Sequence, residues 1–111
     1  MRSAILVLIG GALAVSGCVT TSDPTTLGTL SNPVLTRGPS GERAYLDRLR
    51  CADGSAPTYH RQGSGGGGRD GHIVDFYEVT CTGQEPVIVV MDMYHSNGEN
   101  RPVPGFTIVG G

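Results

Sequence analysis

The chain has no Lys and no Trp, and only 16% of its 111 residues are charged. All eight basic residues are Arg. Without Lys a P-loop is excluded, because that loop reaches the nucleotide phosphates with a Lys ammonium. A formal net charge of −2 gives no basic footprint, so duplex nucleic acid is disfavoured as a partner. The longest apolar run, Ala4 to Val15, has 12 residues, short of the roughly 20 that a helix needs to cross a bilayer. At this length the chain holds one domain at most. Cys is scarce too, but its number is odd, so one of Cys18, Cys51 and Cys81 needs a job of its own.

Arg2, the apolar run and the small residues after it have the anatomy of a secretory signal. The segment ends Val15-Ser16-Gly17-Cys18, which resembles the lipobox of bacterial lipoproteins. The resemblance covers the first 18 residues and implies cleavage after Gly17, lipidation of Cys18 and attachment to a membrane through that lipid. Val19, rather than Asp, follows the cysteine, which in this family implies an outer-membrane anchor with the domain facing the periplasm. Several acyl chains hold firmly, since each buried CH2 contributes about 0.8 kcal/mol. The remaining chain is similar to small uncharacterised bacterial lipoproteins, a similarity that implies no activity.

Residues 1–17 are thus expected as a signal peptide, 18–39 as a lipidated flexible tether and 40–111 as a small periplasmic domain. The tether is rich in Thr, Ser, Gly and Pro, has no apolar period, and as a coil of about 20 residues would reach roughly 25 Å. Ser40 can cap a helix over 41–52 that presents Tyr45, Leu46 and Leu49, with Gly54 closing it. A strand with Tyr45, Leu49 and Cys51 on one face is the competing reading. Residues 57–62 read as a weak strand and Gly63–Gly71 as a mobile loop. Residues 72–82 and 86–95 are stronger strands, joined by a turn at Gly83-Gln84-Glu85. That turn sets Val79 opposite Val89, Tyr77 opposite Met91 and Asp75 opposite Met93, and gathers the apolar side chains on one face. The last apolar stretch, 106–109, is expected to pair with an edge or cover part of the other, mixed face. The expected fold is α+β: one short helix on a three- to four-stranded antiparallel sheet, with one disulfide. An exported chain favours pairing Cys51 with Cys81. Closing those 31 residues stabilises by roughly 3.5 to 4 kcal/mol on the chain-entropy estimate, a large share for so small a core.

The chemistry-bearing residues form few constellations in the sequence. Gly63, Gly65 and Gly68 match G-x-G-x-x-G, but the next segment reads as a strand, so no pyrophosphate meets a helix N-terminus and no cofactor is expected. A thiol–imidazole catalyst would need Cys51 or Cys81 reduced, so no catalytic residue is assigned. His72 and Asp75, or Asp92 and His95, stand three apart and on extended strands would point to opposite faces. The expected register brings Asp75 diagonally beside His95 as a polar pair, and two ligands do not make a metal site, so none is assigned. Tyr59, Arg61, Arg69, Asp70, His72 and Tyr94 are candidates for a contact surface toward a periplasmic protein or cell-wall glycan. The leading expectation is a noncatalytic binding or envelope-structural module. Its rival is a small periplasmic hydrolase, or an inhibitor of one, acting through the Gly63–Gly71 loop.

Overall fold

The computed structural model describes residues 22–110. The signal segment and Cys18 lie outside the described residues, as does the first part of the expected tether. A short 3-10 turn at Pro24–Thr26 leads into β1 (Val34–Leu35), α1 (Gly38–Arg48), β2 (Leu49–Arg50), β3 (Thr58–Gly65), β4 (Val74–Thr80), β5 (Val87–Asp92) and β6 (Thr107–Ile108). The strands make a four-stranded sheet in the order β1-β5-β4-β3 and a two-stranded sheet of β2 with β6. The fold is α+β. The larger sheet is mixed rather than wholly antiparallel, because β1 runs parallel to β5.

The hairpin of β4 and β5 forms with a register two residues from the expected one: Val79 faces Val87, Tyr77 faces Val89 and Asp75 faces Met91. The loop still has three residues, now Thr82 to Gln84, and the Gln84 N–H donates to the Cys81 carbonyl at 3.0 Å. Pro86, with no N–H to offer a ladder, stands just before β5 instead of inside it. An even shift exchanges no side chain between faces. Tyr77, Val79, Val89 and Met91 therefore remain on the core face, under Tyr45, Leu46 and Leu49.

The helix begins earlier than expected and stops sooner. Pro39 fits its first turn, where no backbone N–H is needed, so Ser40 lies inside the helix and is not its cap. Glu42, Tyr45 and Leu46, spaced for one helical face, are its buried residues. It ends at Arg48 because Leu49 and Arg50 extend to pair with Ile108 and Thr107. The last apolar stretch thus pairs with the chain that trails the helix rather than with an edge of the main sheet, and Phe106 and Ile108 pack against the core. Cys51, next along, is bonded to Cys81 at the end of β4.

Two expectations about mobility are corrected. Residues 22–38 pack on the domain and do not act as a tether: Leu27 and Val34 belong to the core. Their backbone is bonded to β5 and the residue after it, through Val90 N to Gly28 O, Thr36 N to Asp92 O and Gly38 N to Met93 O. Leu27 and the short Val34-Leu35 pair carry no periodic signal, yet they suffice where an open strand edge supplies the hydrogen bonds. The glycine loop is also shorter than its composition suggests. Gly63 and Gly65 belong to β3, with a bulge at Gln62. Gly68 is buried against Val74, so closely that a Cβ there would stand 2.6 Å from Val74 Cγ1.

Candidate metal centre

The mixed face of the hairpin ends in a cluster of Asp70, His72, Asp92 and His95, whose ligand atoms all lie within 4.8 Å of one another. Asp92, the last residue of β5, is its buried centre with 0% exposure. Its Oδ2 is 2.8 Å from His72 Nδ1 and 3.1 Å from His95 Nε2. Its Oδ1 accepts the Tyr94 N–H at 3.0 Å. Burial alone would push the Asp92 carboxyl up, but these hydrogen bonds outweigh it and hold the group below its ordinary range.

Each neighbour arrives by a definite local route. His72 stands two residues before β4, with its ring 5.4 Å from those of Tyr94 and His95. His95 lies beyond β5, where its N–H donates to the Thr36 carbonyl at 3.1 Å and a bridge between Arg37 and Tyr94 turns the chain back. Asp70 comes from the glycine loop. The Gly71 N–H closes a turn onto the Gly68 carbonyl at 2.9 Å, and Gly71 takes φ 79° between the two cluster residues that flank it. Asp70 Oδ2 then sits 3.1 Å from His95 Nε2, while Arg69 pairs with both of its oxygens at 3.1 and 3.2 Å. The Arg69 guanidinium holds the Asp70 carboxyl below the usual range.

Two imidazoles and two carboxylates form a ligand set of the kind that binds first-row transition ions, whereas Ca2+ and Mg2+ prefer mostly oxygen. Bonds of about 2.0–2.1 Å to a tetrahedral ion place the ligand atoms roughly 3.3 Å apart. Three nitrogen–oxygen distances, 2.8, 3.1 and 3.1 Å, are somewhat shorter than that spacing, and all the ligand atoms lie within 4.8 Å of one another, so modest side-chain shifts would seat an ion. The two carboxylates would also balance a divalent charge. Neither imidazole has a Ser, Thr or Cys hydrogen-bond partner among the described residues, so no nucleophile–base pair forms there. Both remaining cysteines are consumed by the disulfide.

The expected pair of Asp75 with His95 does not form. The register shift sets Asp75 opposite Met91, and His95 lies past the strand end, turned toward Asp92. Asp75 instead accepts from Arg61 Nε and Nη2 at 3.1 and 2.9 Å, on the helix side of the sheet. Glu42 faces it there, 1% exposed, and accepts from the Tyr77 hydroxyl at 3.3 Å. Burial, then the neighbouring Asp75 carboxyl, pushes Glu42 up to about 8. The expected contact surface therefore divides. Tyr59 and Arg61 lie on the helix side, where Tyr59 donates to Asp47 at 2.6 Å, and burial with that bond raises its phenol to about 12. Arg69, Asp70, His72 and the exposed Tyr94 lie at the metal-type cluster.

Asp92 and Glu42 are the residues that sequence reasoning missed. The signal for the first was present as two short pairs, Asp70 with His72 and Asp92 with His95, at ends that the hairpin brings together. An open groove of about 490 Å³ between α1 and residues 97–100 lies elsewhere, lined by Thr36, Arg37, Arg48 and Asn100 among others, without a comparable ligand set. No family model, curated protein or solved structure matches the chain.

Proposed function

We propose that this chain is a noncatalytic metal-binding module, anchored in the bacterial envelope through a lipid on Cys18, that captures a divalent first-row transition ion such as zinc. The observation that carries the reading is the convergence of Asp70, His72, Asp92 and His95 at one strand end. The lipobox-like Val15-Ser16-Gly17-Cys18 supports the anchor, and Val19 supports the outer membrane with the domain facing the periplasm. Tethering would keep the site at high local concentration beside a protein or cell-wall partner. The rival hydrolase reading has in its favour that the glycine loop delivers Asp70 and His72; with no Ser, Thr or Cys beside either imidazole among the described residues, it would depend on water activated by a bound ion.

Binding to the folded state alone raises the melting temperature. Full-length protein in detergent is therefore expected to melt higher with zinc than with a chelator, and a His72→Ala, His95→Ala double variant to lose that difference. Equal melting of the wild type in both conditions contradicts the metal reading. Labelled palmitate should be incorporated by the wild type and not by Cys18→Ala; equal labelling contradicts the anchor.

A further inference from the structure

Resting on the metal reading above, we propose that Asp70 is an exchangeable fourth ligand, and that Arg69 acts as a latch deciding whether the ion is held by three protein ligands or by four. Three ligands belong to the framework. Asp92 is buried at the end of β5, with Oδ1 fixed by the Tyr94 N–H. His95 is fixed through its backbone to Thr36, and His72 packs edge-on to Tyr94. Asp70 differs, since it is exposed and carried on a loop.

The Asp70 Oδ2 atom has two claimants. It receives Arg69 Nη2 at 3.2 Å and lies 3.1 Å from His95 Nε2. A lone pair directed at a guanidinium is less available to an ion, and the guanidinium charge itself opposes a cation a few ångströms away. Arg69 also has an alternative place to go. Its Nη1 is already 3.5 Å from Asn32 Oδ1. Asn32 is 6% exposed, and its amide N–H groups are spent on Asp23 O at 2.8 Å and Thr26 Oγ1 at 3.0 Å, so its carbonyl oxygen stays turned toward Arg69.

Two arrangements follow. With Arg69 on Asp70, the ion has His72, Asp92 and His95, and the remaining position is open to water or a small anionic ligand. With Arg69 drawn to Asn32, Asp70 closes the fourth position. Second-shell partners of this kind commonly change metal affinity by 10- to 100-fold.

Cobalt(II) is a suitable probe, because its visible absorption reports coordination number as well as occupancy. Full-length wild type, Arg69→Gln, Asp70→Asn and the double variant are titrated with cobalt(II), and melting is recorded for each. Arg69→Gln is expected to bind roughly tenfold tighter with a stronger four-coordinate spectrum, and Asp70→Asn roughly tenfold weaker with a spectrum of higher coordination. The double variant should show the spectrum of Asp70→Asn, because the latch changes coordination only through that carboxylate, whereas loss of the guanidinium charge alone changes affinity and not the spectrum. Binding and spectra indifferent to both substitutions in folded protein overturn the latch and leave the metal reading standing. An Arg69→Gln change of spectrum that persists in the Asp70→Asn background also overturns it. Absence of cobalt and zinc binding by the wild type overturns the metal reading, and the latch with it.

Discussion

Two carboxylate-centred clusters lie on opposite faces of the β4–β5 hairpin and differ in what surrounds the acids. On the helix side, Glu42 and Asp75 are both buried, with Tyr77 and Arg61 as partners. Arg61 pairs with Asp75, and burial, then the facing Asp75 carboxyl, raises Glu42 to about 8. On the other side, Asp92 is equally buried, but two imidazoles and the Tyr94 N–H hold it ionised. Burial by itself therefore does not decide what a carboxyl does. The helix covers one cluster and leaves it a buried piece of the core. The other ends at a loop and a strand terminus, where its second carboxylate reaches solvent.

The largest expected effect concerns the covalent closure behind the covered side. The Cys51–Cys81 bond ties the chain after α1 to the end of β4, at a sequence separation of 30. A Cys51→Ser, Cys81→Ser double variant should lose roughly 3.5 to 4 kcal/mol in urea unfolding. Its folded fraction should keep the metal affinity, since the bond is remote from that cluster. Unchanged unfolding would show that helix packing alone seals Glu42 and Asp75.

A smaller effect is expected where the glycine loop crosses Val74. Gly68→Ala brings a methyl into a space of 2.6 Å, and overpacking of this kind costs typically 1–3 kcal/mol. Displacing the loop should move Asp70 and His72 and weaken zinc binding, while the Glu42 cluster is untouched. A folded Gly68→Ala protein with unaltered zinc affinity would sever the loop from the site.

Taken per pH unit, the smallest effect is a slope with pH. The Glu42 pKa is raised from its ordinary 4.5 to about 8 in the folded protein. Its contribution is complete below about 4.5 and is lost as pH rises toward 8, at no more than about 1.4 kcal/mol per pH unit. Asp92, Asp70 and Glu99 act in the opposite sense, because their lowered pKa values stabilise above the ordinary carboxylate range and fail in acid. Stability should therefore pass through a maximum in mild acid. Glu42→Gln should flatten the fall on the alkaline side; an unchanged slope there would place the titrating group elsewhere.

Much of the fold was legible because periodicity reports burial. The hairpin faces, Tyr45 and Leu46 on the helix, and the pairing of Cys51 with Cys81 all follow from alternation, helical spacing and the export expected from the lipobox-like segment. What was hidden depended on single contacts. Leu27 stands alone and Val34 has only Leu35 beside it, too little to set a period, so their segment reads as a tether. Asp92 and His95 are three apart and would diverge on an extended strand, but β5 stops at Asp92 and the chain turns. Glu42 lies in the first turns of a helix, where a carboxylate suits the helix dipole, and only the facing Asp75 and Tyr77 reveal its burial.

The central claim is that the open cluster, unlike the covered one, is a metal site, and calorimetric titration of full-length protein with zinc tests it most directly. The account predicts one ion bound per chain, a loss of affinity of roughly 100-fold or more in folded His72→Ala, His95→Ala protein, and no loss in Glu42→Gln. No zinc binding by the wild type, or equal binding by the histidine variant, would contradict it.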